Sequence, residues 1–279
     1  MERKGEAALD RARVLRYVPP VPWIKARRDL IVASRPDQRT LAREACEKIG
    51  DPDPEWRHFE YVQLGECLIA AGFNQSACAF YEHYLERATH DLSATWIPAR
   101  YRSLLTQVGR FDKAIDYMAK TGMGGRAMVY ARTGQYEHAE RVMKEARERG
   151  PFTRFDIDTF CLSFWRGEVD EARDYFRSFD RSKLWLLECY WVCFLLGDLD
   201  AGIDYLEEDI RLGAHPAVFR SNIGEVLPQS MLRRLEEHPR YRAILERFGI
   251  DEAWCAELTQ MANEVSTTTG IRVRPDEDY

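Results

Sequence analysis

Apolar residues recur at helical spacing along most of the chain, and single glycines punctuate the runs. In VYARTGQYEHAERVMKEARERGP (residues 129–151), Gly134 is followed two residues later by Tyr136 and five residues later by Ala139. Gly72, Gly109, Gly167 and Gly197 repeat the arrangement, with successive spacings of 37, 25, 33 and 30 residues. The residue five places on is always small: Ala77, Ala114, Ala139, Ala172 and Gly202. The residue two places on is apolar or aromatic in four cases, Phe111, Tyr136, Val169 and Leu199; after Gly72 the aromatic, Phe73, comes one residue early.

Each position has a physical reason. Glycine enters the left-handed region that closes a helix without a steric penalty. The chain then reverses into an antiparallel second helix. The side chain two residues on can fold back onto the end of the first helix. The residue five places on falls in the first turns of the second helix, where a large side chain would force the pair beyond its usual spacing of roughly 8–10 Å. The pattern therefore predicts helix pairs recurring every 25–37 residues. A pair of that size cannot bury its apolar face alone, so successive pairs stack.

The residues Ala127, Tyr130, Gly134, Tyr136, Ala139, Met143, Ala146 and Pro151 resemble a tetratricopeptide repeat. The resemblance covers about residues 55–215. The repeats are degenerate: only Pro151 keeps the proline that closes a unit, and Pro216 falls two residues late. The resemblance implies an all-α fold, a right-handed α-solenoid of antiparallel helix pairs. The segment HPRYRAILERFGIDEAWCAELTQMANEVSTTTGI is similar to the closing segment of many bacterial tetratricopeptide proteins, which implies a helical C-terminal cap on the last pair.

The expected organisation is an N-terminal helical arm over 1–50, five degenerate helix pairs over 51–215, a helical cap over 216–270 and a flexible tail over 271–279. Within the arm, residues 1–17 read as an amphipathic helix or a mobile arm, Pro19, Pro20 and Pro22 break it, and helices follow over 23–34 and 38–49, split by Pro36. Asp53 as N-cap and Pro54 at the first helical position open the repeats. The cap is expected as helices over 228–237, 239–248 and 251–266, with Asp251 as N-cap. It should pack on the last pair through Leu232, Leu235, Ile244, Leu245, Phe248 and Trp254. Nothing alternates with period two, so no sheet is expected.

Composition adds bounds. The chain of 279 residues is 45% hydrophobic and 31% charged, ordinary for a protein with a real core. No apolar run approaches the ~20 residues of a membrane span, and the first residues lack the apolar stretch of a secretory signal. Seven scattered cysteines fit free thiols. The expected localisation is cytoplasmic. Residues 1–45 hold eleven Lys/Arg against six Asp/Glu, so with a net charge of −6 the rest carries −11. An acidic body argues against nucleic-acid binding.

Chemistry finds little support. Cys189 and Cys193 lie one turn apart, but without a nearby third ligand they read as core thiols. Gly122–Gly125 lacks the strand and GK[ST] ending of a phosphate loop and reads as a turn between repeats. Residues 198–202 resemble the start of a calcium loop with its glycine one place early, and read as helix capping. The sequon at Asn74 would stay unmodified in the absence of secretion. No Ser/His/Asp or Cys/His set has the local context of a nucleophile, and no metal or cofactor is expected.

The tetratricopeptide family lines its concave groove with the positions six, three and two before the turn glycine. Here these are Glu66, Ile69 and Ala70; Ser103, Thr106 and Gln107; Met128, Ala131 and Arg132; Cys161, Phe164 and Trp165; and Trp191, Phe194 and Leu195. Polarity falls along the row. The resemblance implies a partner-binding surface at Met128, Arg132, Phe164, Trp165, Trp191 and Phe194; slipped repeats would instead make these aromatics ordinary core. The function expected is a non-catalytic scaffold or adaptor that binds a protein or peptide, with no membrane partner. A regulatory or ligand-sensing module of a bacterial signalling or transcription system is the alternative.

Overall fold

The computed structural model describes residues 38–50, 58–87, 97–121, 126–148, 156–180, 184–214 and 216–274. Outside them lie the arm and helix expected over 1–34, the Asp53–Pro54 helix start, the Gly122–Gly125 turn, Pro151 and the end of the tail.

The described residues form helices joined by turns, with no strand among them. In chain order they are α1 (Gln38–Gly50), α2 (His58–Ala71), α3 (Asn74–Arg87), α4 (Ile97–Gln107), α5 (Phe111–Thr121), α6 (Arg126–Arg132), α7 (Tyr136–Glu148) and α8 (Ile157–Trp165). They continue as α9 (Val169–Arg177), α10 (Leu186–Leu195), α11 (Leu199–Arg211), α12 (Pro216–Val226), α13 (Gln229–Glu237), α14 (Pro239–Arg247), α15 (Glu252–Glu264) and the single turn α16 (Ser266–Thr269). The chain divides into two compact units. Of the described residues, unit 1 holds those up to Tyr101, Ile210–Ser221 and those from Ala243 to Arg274; unit 2 holds those within Arg102–Asp209 and Asn222–Arg242.

The five glycines join α2 to α3, α4 to α5, α6 to α7, α8 to α9 and α10 to α11, and all five have positive φ. At Gly134 (φ 75°) the Gly134 N–H donates to Ala131 and the Gln135 N–H to Tyr130, the two bonds of a Schellman turn. The other four turns repeat this pair of bonds, the glycine N–H at 3.0–3.3 Å and the following N–H at 2.8–3.0 Å. In each case the N–H of the small residue five places on closes the first turn of the second helix, at 2.9–3.1 Å. Ala77, Ala114, Ala139 and Ala172 are fully buried. At Gly202 even a methyl is excluded, because a Cβ there would lie 2.3 Å from Cε1 of Phe194.

In unit 2, α6 packs on α7, α8 on α9, and α6 on α8, so adjacent first helices touch. Ala127, Ala131, Ala139, Met143 and Leu162 form a shared core, with Tyr136 and Trp165 against it. Tyr136 packs against the core that holds Ala127 and Ala131 of its own first helix. Its hydroxyl donates to the Trp165 carbonyl at 2.6 Å, capping the end of α8 in the next pair.

In unit 1, α2 packs on α1 and α3. α15 packs on α1 and α2, burying Trp254, Leu258 and Ala262, which recur every four residues on one face. The Arg39 guanidinium lies 5.6 Å from the Trp254 ring centroid. This corrects the expected cap. α13 does lie against α10 in unit 2, with Leu235 fully buried, but α15 packs on α1 and α2 in unit 1. The tail is corrected too: Val273 is buried and trades two hydrogen bonds with the Asn263 amide (2.8 and 3.1 Å), and the Arg274 N–H donates to Ser76 at 3.3 Å. Ile271–Arg274 is therefore held in place.

Two substitutions separate the roles of glycine and alanine. A Cβ at Gly134 meets nothing within 4 Å, so Gly134→Ala carries only backbone strain, about 1–2 kcal/mol. Ala139→Leu overpacks a closed crossing and should cost about 1–3 kcal/mol. Urea melts measure both; an unchanged midpoint for Ala139→Leu would show that the helices do not meet there.

Candidate functional site

The candidate surface in unit 2 is made of first-helix residues of α4, α6 and α8, of which Ser103, Gln107 and Arg132 meet the last turn of α12. Three of the expected residues come together in unit 2. The Arg132 guanidinium lies 5.4 Å from the Phe111 ring centroid and 6.0 Å from that of Trp165. Trp165 meets Phe164 edge-on at 5.5 Å, and Phe164 stacks on Phe160 at 6.2 Å. Arg132, Phe164 and Trp165 are each half-buried.

The other three are core, which corrects the expectation. Met128, Trp191 and Phe194 are buried. The reason lies in α10, whose sequence LLECYWVCFL is apolar on every face; every residue from Glu188 to Leu195 is buried. A helix apolar all round has no face to offer a groove. Phe194 instead fills the space left by Gly202. Cys189 and Cys193 are buried, and among the described residues no group of three His, Cys, Asp or Glu could hold a metal ion.

What faces the lining is α12, an element the sequence pattern did not reveal. Pro216, read as a late repeat-closing proline, is in fact its first residue. Phe219, Ile223 and Val226 recur at helical spacing and are fully buried, a signal that could have found it. In unit 1, Arg220 donates to the Ala70 carbonyl at 3.2 Å, at the end of α2. In unit 2, Arg132 donates to the Glu225 carbonyl at 2.9 Å, at the end of α12 itself. Each guanidinium thus sits at the negative end of a helix dipole. The Glu225 carboxylate is buried, with Arg102 Nη2 and Ser103 Oγ each 2.6 Å from one of its oxygens. A Cβ at Gly224 would come within 2.8 Å of the Gln107 amide carbon, so Gln107 would have to move.

A second polar cluster supports α6. Asp156 caps α8, accepting from Asp158 N–H (3.2 Å) and Thr159 Oγ1 (2.6 Å). Asp158 accepts from the Met128 N–H at 3.1 Å, in the first turn of α6. Burial and the neighbouring Asp156 push Asp158 up from 3.8 to about 7, against the pull of the Met128 N–H and Arg102. Burial pulls Arg132 down to about 10, opposed by Glu225, and drives the Cys161 thiol well above its ordinary value. A set made of enclosed cations, paired carboxylates and an unreactive thiol can recognise polar groups; it presents no nucleophile.

No protein-family model, curated protein or solved structure matches the chain.

Trp191→Ala should lose about 3–5 kcal/mol of folding stability, as a buried indole does; a loss below about 1 kcal/mol in denaturant melts would return Trp191 to the surface. Asp158 gives a pH test. Its folded value lies above its ordinary one, so the native state binds the extra proton between pH 3.8 and about 7. Its stabilising contribution is complete below that window and is lost as pH rises through it. Asp158→Asn should therefore flatten the stability profile, with its gain over the native chain larger at pH 8 than at pH 5. An equal difference at both pH values would contradict the raised value.

Proposed function

We propose that the protein is a non-catalytic scaffold that binds a protein or peptide, built as a right-handed α-solenoid of tetratricopeptide-like helix pairs. Five turns with the same two terminal hydrogen bonds, each followed by a small residue at a helix crossing, support the repeat reading. The observation that carries the binding reading is the use made of the lining in unit 2. Arg102, Ser103 and Arg132 already grip the carboxylate and terminal carbonyl of a helix, so the row is chemically suited to helical, acidic segments. Phe164 and Trp165, half-buried beside Arg132, supply apolar area next to the polar grip. Tryptophan and arginine are the residue types most enriched at binding hot spots. The acidic character of the chain beyond residue 45 disfavours nucleic acid as a partner, and among the described residues no helix is long and apolar enough to cross a membrane.

The test uses the full chain as bait in lysate of its source, with Trp165→Ala as control. The wild type should retain a specific protein that Trp165→Ala loses, with binding weakened by about 2–4 kcal/mol and helicity retained. Absence of any specific capture, or equal capture by both, would refute the reading.

A further inference from the structure

The last turn of α12 occupies the lining of unit 2 through polar groups. Ser103, Arg102 and Arg132 hold the Glu225 side chain and carbonyl, and Gly224 lets the turn come close to Gln107. By itself α12 is a poor helix. Ser221, Asn222 and Gly224 fall within it, and its ends carry neither an acidic first turn nor a basic last turn. Glu225 stands at the end where the helix dipole disfavours negative charge. Arg102 and Arg132 offset that cost, so its helicity depends on tertiary contacts.

We propose that the last turn of α12 is a built-in pseudo-ligand, and that the partner of unit 2 is an amphipathic helix that takes its place. The partner carries an acidic side chain beside a small residue in its last turn, for the Arg102, Ser103 and Arg132 site. Ile223 and Val226 are fully buried on the same stretch, so the partner supplies apolar side chains there as well. The inference rests on the binding function proposed above and adds the chemistry of the partner and the contact that it must displace.

The test is a labelled synthetic peptide of residues 214–228, titrated into the full chain by fluorescence anisotropy. The tethered α12 competes at an effective concentration on the order of mM, so the wild type binds the peptide weakly. Glu225→Ala in the chain loosens its own helix, and the peptide should then bind about tenfold tighter or better. A peptide with alanine in place of its glutamate should bind neither chain. Equal binding to both chains, or binding that ignores the peptide glutamate, overturns the proposal. Hydrogen exchange of the wild type decides the matter if Glu225→Ala fails to fold. Amides at 222–226 should exchange through an opening more frequent than global unfolding, and exchange only with global unfolding overturns the proposal. The two readings fail separately. Peptide exchange as expected with no partner captured refutes only the scaffold function. A partner captured equally by the wild type and by Glu225→Ala, without competition from the peptide, refutes only the displacement.

Discussion

A helix that ends inside a protein leaves carbonyls without partners, and the chain must satisfy them while turning sharply enough for the next helix to pack. Here one solution recurs five times. A glycine of positive φ donates three residues back, and the next residue donates five back. That geometry commits the second helix to return along the first. The residue five places after the glycine is then a fully buried alanine in four pairs, and in the fifth a glycine at which a Cβ would run into Phe194. The return of one helix along the last and the burial of the small residue after each turn both follow from how the carbonyls at a helix end are satisfied.

The same demand recurs with side chains in place of glycine. Tyr136 caps α8, Arg220 caps α2 and Arg132 caps α12. In unit 2 this gives the lining its character: guanidinium groups that complement a helix terminus, and a buried carboxylate held by Arg102 and Ser103. Buried ion pairs add little net stability, because desolvation cancels much of the attraction. They are demanding about geometry, however, and the proposed recognition of a helix draws on that property.

The helix pairs were legible in the sequence because their determinants are local, a glycine and a small residue at fixed offset. The Asp251 cap was legible for the same reason; its carboxylate accepts from Trp254 N–H at 2.7 Å. α12 was not, since Asn222 and Gly224 are weak helix formers and the groups that hold its last turn, Arg102 and Arg132, lie more than ninety residues away in sequence. The packing of α15 on α1 was hidden likewise, because one apolar face does not name its partner. Of the candidate residues, Arg132, Phe164 and Trp165 lie together and half-buried. Trp191 and Phe194 do not, and the apolar residues around the whole of α10 already pointed to their burial.

The most direct measurement is amide hydrogen exchange at the residue following each turn glycine: Phe73, Arg110, Gln135, Glu168 and Asp198. These N–H groups lie at turns, where a chain without the terminal bonds would exchange freely. With each bonded to the carbonyl five residues back, all five should exchange well below the rate of an unstructured chain. Exchange at the unstructured rate at these positions, with the adjoining helices protected, would contradict the repeated turn and the paired helices that depend on it.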